Sequence, residues 1–346
     1  MNCRPCIIFQ KRGFYMDLRY LLLLQQFRES AGDLMTALMM LVTNFATIGS
    51  AVLCVIIFWT VDRILGYWVI INTVSGLFIN NVIKLTACVY RPWIRWQELD
   101  PPEKAIETAT GYSFPSGHTQ IASSFFGSCA MSARKDHKAV SAFCIAVILL
   151  TAFSRNFLGV HTLTDVLTSI LISAVMIAVN ARLFERVRTD RSLLIKLLAA
   201  GCAAAVLAII YFTIKTYPMD YLDGDLIVDP VEMKNDGYAA AGAFLGTLAG
   251  AYIEIRHVRF TTEGTLPVRI LRVICGLPFV LVLMFVLKKP IYSIAGTAAG
   301  HVIIYTILTL YIIAGYPAVF TAVRRRRNEG QDTEKNCSHK VSDDPE

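Results

Sequence analysis

Long stretches without a formal charge recur along this chain, at 34–61, 64–83, 119–133, 139–154, 166–181, 197–214, 237–253, 273–287 and 291–323. A helix rises 1.5 Å per residue, so about 20 apolar residues cross the hydrocarbon of a bilayer. Several of the runs hold only 15 to 18 residues, but each borders polar residues that can extend the helix. The pattern predicts an all-α, polytopic bundle of about nine transmembrane helices. The run at 273–287 is the weakest member, because Pro278 interrupts it. So many long uncharged runs in succession argue against buried helices of a soluble protein.

The segments between the runs carry the topology. Basic residues gather at Arg134, Lys135 and Lys138, at Arg182 to Lys196, at Arg256 to Arg272, and at Arg324 to Arg327. The segment 216–236 is acidic, with Asp220, Asp223, Asp225, Asp229, Glu232 and Asp236 against Lys234 alone. Nine spans put all four basic clusters on one face and the acidic segment on the other, as the positive-inside rule requires. Lys288 and Lys289 fall on the opposite side and dissent. Composition agrees: 55% of residues are hydrophobic, 17% charged, and mean hydropathy is +0.52. The net charge of +7 therefore belongs to membrane-facing loops, and no nucleic-acid partner is expected. The expected partner is the bilayer itself.

Four segments follow from this reading. Residues 1–33 form a leader with an amphipathic stretch at 17–31, suited to the membrane surface. The first fifteen residues lack the apolar core of a signal peptide, and Met16 is an alternative start. Residues 34–215 form a core, 216–323 a set of additional membrane helices, and 324–346 a polar tail. The nine cysteines are scattered, which suggests buried small hydrophobes rather than a disulfide framework. Cys3 and Cys6 make a lone CxxC, and Asn336 opens a glycosylation sequon on the side expected to be cytoplasmic. Gly242, Gly246 and Gly250 repeat every four positions, and Gly296 and Gly300 repeat the step. Such faces serve either close packing within the chain or a homodimer.

Ionisable residues beside these apolar runs mark the chemistry, since charge at membrane depth is costly. They fall in three fragments: Lys84 with Arg91 and Pro92; Pro115-Ser116-Gly117-His118; and Ser154-Arg155 with His161 and Asp165. Lys84 and Arg91 are two turns apart, so on one continuing helix they would share a face about 10 Å apart. Ser116 and Gly117 open a span, where backbone N–H groups bind anions and glycine permits close approach. Asp165 stands four residues after His161, placed to accept from one ring nitrogen and leave the other free. By counting, every one of these groups lies at the end of the bundle opposite the basic loops. His137, His257 and His301 stand outside the set.

The three fragments, in this order and spacing, resemble the signature of the type 2 phosphatidic acid phosphatase superfamily. That superfamily includes lipid phosphatases, glucose-6-phosphatase and vanadium haloperoxidases. The resemblance spans 84–165 and extends through flanking helices to roughly 34–215. It implies that Lys84, Arg91, Ser116, Gly117 and Arg155 bind phosphate, and that His161 is a nucleophile forming a phosphohistidine. Asp165 would orient His161, and His118 would protonate the leaving oxygen. It implies neither a metal nor a cofactor. The expected activity is hydrolysis of a lipid phosphate or diphosphate in a multi-pass protein of the plasma membrane, with the site extracytoplasmic. The alternatives are a lipid phosphotransferase, a phosphatase of a soluble sugar phosphate, and a transporter or binding protein with a dead site.

Overall fold

The computed structural model describes residues 14–326 apart from Asp223. The Cys3–Cys6 pair, the Asn336 sequon, residues 1–13 of the predicted leader and the predicted tail from Arg327 onward lie outside the described residues. Helix α1 (Phe14–Asn44) runs on through a π-helical turn, α2 (Ser50–Ile56) and a second π-helical turn to Val61. There follow α3 (Arg63–Ala87), the short α4 (Pro92–Arg95) and α5 (Glu103–Glu107), α6 (Gly117–Ala133), α7 (Lys138–Phe157), α8 (Leu163–Thr189) and α9 (Arg191–Ile214). A two-stranded hairpin, β1 (Tyr221–Leu222) with β2 (Asp225–Leu226), precedes α10 (Pro230–Ile253) and α11 (Leu266–Leu310). The architecture is the helical membrane bundle that the hydropathy pattern predicts.

Polar residues at the run boundaries set where helices begin. Asp62 caps α3 by accepting from Leu65 N–H at 2.6 Å, and Asp190 caps α9 through Ser192 N–H at 2.8 Å. Asp229 caps α10 through Val231 N–H at 2.7 Å, ahead of Pro230 at the first helical position. Each supplies an acceptor to a backbone donor that has no partner inside the helix.

Among the described residues, seven helical stretches are long and apolar enough to cross a membrane, against about nine predicted. Two features account for the difference. Helix α6 has only 17 residues and is rich in serine, so it is too short and polar to be counted, although it packs inside the bundle against α3, α7 and α8. The stretch Leu266–Arg326 counts once but changes direction at Gly296, whose φ of 75° is open to glycine at little cost. Arg272 lies over the Phe320 ring, Phe279 stacks near Tyr311 and Tyr292 packs on His301. Those pairings make the stretch an antiparallel hairpin. Pro278 lies within its first arm without ending the helix.

The glycine repeat serves packing within the chain. Gly242 faces Val302, Gly246 faces Thr306 and Thr309, and Gly250 faces Ile313. Thr306 Oγ1 donates to Gly242 O at 3.0 Å and Thr309 Oγ1 to Ala243 O at 3.1 Å. A side chain at Gly246 would run into the Thr306 backbone. The second arm of the α11 hairpin thus seals the face of α10 that the sequence left open to a homodimer.

At the end that carries the basic loops, Phe58, Trp59, Phe125 and Phe260 are buried in one apolar cluster. Trp59 Nε1 donates to Ile312 O at 2.8 Å, tying the first span to the last. The predicted surface stretch 17–31 is part of α1, which turns at Gly32. It also packs on protein: Arg28 is buried and donates to Phe157 O and Asp100 O, and Thr164 donates to Asp17 at 3.1 Å. The connection between α3 and α6 contains α4 and α5, and Pro101-Pro102 leads into α5. Tyr112, in the same connection, is fully buried.

Candidate active site

Each signature fragment reaches the same end of the bundle because helix directions alternate. Lys84 lies in the last turn of α3 and Arg155 near the end of α7. Ser116 and Gly117 open α6, and His161 and Asp165 flank the start of α8. Helix termini bring unpaired backbone groups to the same place as the charged side chains. A polar site can therefore form here inside an apolar bundle.

His161 and Asp165 meet through a capping box rather than along a helix face, as the sequence reading had it. Thr162 is the N-cap of α8: its hydroxyl accepts from Asp165 N–H at 3.2 Å, and the Asp165 Oδ2 accepts from Thr162 N–H at 2.9 Å. His161 precedes the cap, in the turn, with Nδ1 3.3 Å from the same Oδ2. Two groups absent from the sequence-predicted set complete the mount. Ser113 Oγ donates to Asp165 Oδ2 at 2.6 Å, and Asn156 Nδ2 donates to His161 O at 2.9 Å. Ser113 stands only two residues before the PSGH fragment. Its serine type alone carried no signal, because its role depends on the chain bending back onto α8.

The Asp165 carboxylate fixes the Nδ1–H tautomer of His161, so Nε2 presents its lone pair. Arg91 Nη1 stands 2.8 Å from Nε2. Burial first, then the Arg91 charge, pushes the His161 imidazole well below its ordinary range. A neutral ring held in one tautomer is what nucleophilic attack through Nε2 requires.

Arg91 is not on a helix continuous with Lys84. Helix α3 ends at Ala87, Cys88 turns at φ 47°, and Arg91 is extended as the N-cap of α4. Its guanidinium fastens loops together: Nε donates to Gly111 O at 3.0 Å, Nη2 to Thr110 O at 2.8 Å and Nη1 to Val160 O at 3.1 Å. A guanidinium has five N–H donors, so these bonds leave only part of the fork to face an anion.

Arg155 is the complement. It is fully buried, Nη1 reaches Thr43 Oγ1 at a long 3.4 Å, and its buried Nε and Nη2 find no acceptor among the described residues. The Lys84 ammonium also makes no hydrogen bond to a described residue. Its Nζ would stand 3.9 Å from a β-carbon built at Gly117, so the ammonium hangs over the first turn of α6. Ser116 Oγ accepts from Thr119 N–H at 3.4 Å and from Thr119 Oγ1 at 3.0 Å, leaving its own proton to donate. His118, in that first turn, is half-buried and within electrostatic reach of Arg155, His161, Arg91 and Lys84. A second carboxylate comes from outside the signature: Asp236 on α10 acts electrostatically on Lys84, beside the contact of Gly237 with Leu85.

The charge balance of this hole favours an anion. Lys84, Arg91 and Arg155 converge around one core carboxylate, and Asp165 is already occupied by His161, Ser113 and Thr162. Buried cations with unused donors are costly unless an anion answers them. A tetrahedral oxyanion such as phosphate supplies acceptors to all of them.

The PAP2 superfamily model matches residues 63–189, and the model described as PAP2 superfamily phosphatase, transmembrane extension, matches residues 238–328. No curated protein and no solved structure matches the chain. The first matched stretch contains every residue of the cationic hole and its histidines, and the second is the α10–α11 unit packed against it. The chain belongs to the PAP2 superfamily and is a multi-pass membrane phosphatase.

Proposed function

We propose that the protein hydrolyses a lipid phosphate or diphosphate through a phosphohistidine at His161, with no metal taking part. The observation that carries this reading is Arg155, buried with Nε and Nη2 unanswered by any described residue, beside an oriented, neutral His161. The phosphoryl group displaces Arg91 from Nε2 and takes donors from Arg155, Lys84, Ser116 and the N-terminal amides of α6. These charges meet the negative charge on the equatorial oxygens of the transition state.

In the first step a bond forms between His161 Nε2 and phosphorus while the bond from phosphorus to the leaving oxygen breaks. His118 gives that oxygen a proton, and Asp165 stabilises the charge that builds on the His161 ring. In the second step His118 takes a proton from water, the water oxygen bonds to phosphorus, and the bond from phosphorus to Nε2 breaks. Inorganic phosphate leaves, and His161 returns to its neutral tautomer.

A lipid substrate suits the position of the hole at the ends of α3, α6, α7 and α8. There a headgroup can enter while its chains stay in the bilayer, alongside the exposed Leu163 and Leu167 of α8. The basic loops stand at the opposite end, which under the positive-inside rule faces the site away from the cytoplasm, most simply at the plasma membrane. The decisive experiment uses purified protein and a panel of lipid and soluble phosphates in excess EDTA. Expected are phosphate release without added metal, inhibition by vanadate, and a phosphoenzyme that the His161→Ala variant does not form. Activity that disappears with EDTA and returns with magnesium would contradict the mechanism. A phosphoenzyme in the His161→Ala protein would remove His161 as nucleophile.

A further inference from the structure

The end of the molecule opposite the active site holds a cavity of about 810 Å³ where the core meets the extension. Its walls come from the start of α3, the junction of α8 and α9, and the turn after α10. One part of the wall is apolar, formed by Ile64, Leu194, Ile195 and Ile255. Three of these side chains, Ile64, Ile195 and Ile255, are exposed. The other part is basic, with Arg63, Arg191, Arg256 and Arg259.

The acidic groups nearby are already committed. Asp62 caps α3 through Leu65 N–H, and Glu263 pairs with Arg324 at 3.0 Å. The buried Glu254 takes Arg63 at 3.1 Å, Tyr67 Oη at 2.6 Å and Phe260 N–H at 3.0 Å. Arg63 is thereby neutralised. Arg191, Arg256 and Arg259 have no carboxylate partner among the described residues. Arg259 adopts φ 52° to close the turn after α10, which keeps it beside Arg256 at the cavity rim.

Three uncompensated guanidiniums above an apolar wall, at the level where the helices end, match a molecule with an anionic head and two hydrocarbon chains. Guanidinium forks suit a phosphate bidentately, and basic pockets between membrane helices at this level hold anionic lipid headgroups. The volume is that of an ordinary ligand site. We propose that this cavity binds one anionic diacyl phospholipid of the adjacent leaflet, its phosphodiester on Arg191, Arg256 and Arg259 and its chains along Ile64, Leu194 and Ile195. Such a lipid fastens the α10–α11 extension to the core at the end remote from catalysis.

The test uses delipidated protein in phosphatidylcholine nanodiscs and fluorescent phosphatidylglycerol, a phosphodiester outside the proposed catalytic activity, with vanadate present to occupy the active site. Each arginine near a membrane surface contributes about fivefold in affinity. Arg191→Gln, Arg256→Gln and Arg259→Gln should each weaken binding by about that factor, and the triple variant by more than tenfold. The triple lysine variant should bind between the parent and the triple glutamine variant, keeping the charge without the bidentate fork. A melting transition in neutral nanodiscs shows that each variant is folded; should the triple variant fail it, the single variants decide. Unchanged phosphatidylglycerol binding in the folded glutamine variants overturns the proposal. So does displacement of the lipid by glycerol phosphate or inorganic phosphate at equal concentration, which would make this a site for free anions.

Discussion

Replacing Arg155 by Met should stabilise the ligand-free protein while destroying its activity. Its guanidinium is fully buried, and its bond to Thr43 Oγ1 is long at 3.4 Å. Nε and Nη2 have no acceptor among the described residues. A buried donor left unpaired costs about 1–3 kcal/mol, and more on a charged group. Two such donors, together with the nearby charges of Arg91 and Lys84, make the ligand-free site a region of stored unfavourable energy. Methionine fills a similar volume without a charge. Exchanges of buried ionic groups for well-packed apolar ones gain about 1–4 kcal/mol, and the same range is expected here.

The opposite sign is expected once a phosphate analogue is bound. A ligand present at a hundred times its dissociation constant stabilises by about 2.7 kcal/mol. The parent should gain this with vanadate and Arg155→Met should gain almost none. Loss of an arginine that meets transition-state charge costs about 10³–10⁵ in rate. Thermal melting in detergent, with and without vanadate, and initial rates of phosphate release read both quantities. If Arg155→Met melts lower than the parent without ligand yet keeps the vanadate shift, Arg155 is a structural strut and the reasoning fails.

Ser113→Ala removes one of three donors to Asp165 Oδ2 while leaving His161 in place. Its kcat should fall by about 10–100-fold with KM little changed, the loss expected for a supporting hydrogen bond; an unchanged kcat would show that the capping box alone orients the pair. Asp165→Asn should be slow rather than dead in single-turnover phosphate release, whereas His161→Ala should form no phosphoenzyme at all. Asp236→Asn removes a negative charge near Lys84 and should tighten vanadate binding two- to fivefold, a charge effect on the order of 1 kcal/mol; weaker binding would assign Asp236 a supporting role toward Lys84. Gly246→Leu should abolish the folded protein, since its side chain would meet the Thr306 backbone, and recovery of a normal melting transition would contradict the packing of α10 on the second arm of α11.

The chemistry of the site was legible because it rests on residue types at fixed spacing. Lys84, Arg91, His118, Arg155, His161 and Asp165 are costly beside apolar runs and have few structural uses there. Their roles in space were less legible. Spacing of four between His161 and Asp165 suggested a helix face, whereas Asp165 is held in a capping box with Thr162 and His161 stands in the turn before the helix. Spacing of seven suggested one helix for Lys84 and Arg91, whereas Cys88 ends it, and Arg91 spends its donors on carbonyls of residues 110, 111 and 160. Ser113 and Asn156 could not be found by pattern, because ordinary polar residues become specific only through tertiary contact. In the membrane-spanning part, hydropathy marked the runs but not the reversal at Gly296, where one glycine in an otherwise uniform stretch folds a single apolar segment into two arms.

The last topological step follows from the same geometry and has its own test. The turn at Asp62–Arg63, the junction of α8 and α9, the segment after α10 and Arg324 are joined at one end by the Arg63–Glu254 and Arg324–Glu263 pairs and by the shared cavity. The β1–β2 hairpin stands at the other end, where Tyr90 Oη donates to Asp220 at 2.7 Å beside the start of the Arg91 loop. Two ends so different in charge cannot be exchanged across a membrane without violating the positive-inside rule. In a variant freed of native cysteines, a cysteine at Asp225 should therefore react with an impermeant thiol reagent in intact cells, and one at Ala322 only after lysis. The reverse labelling would put the cationic hole in the cytoplasm, and the substrate would then have to come from the inner leaflet.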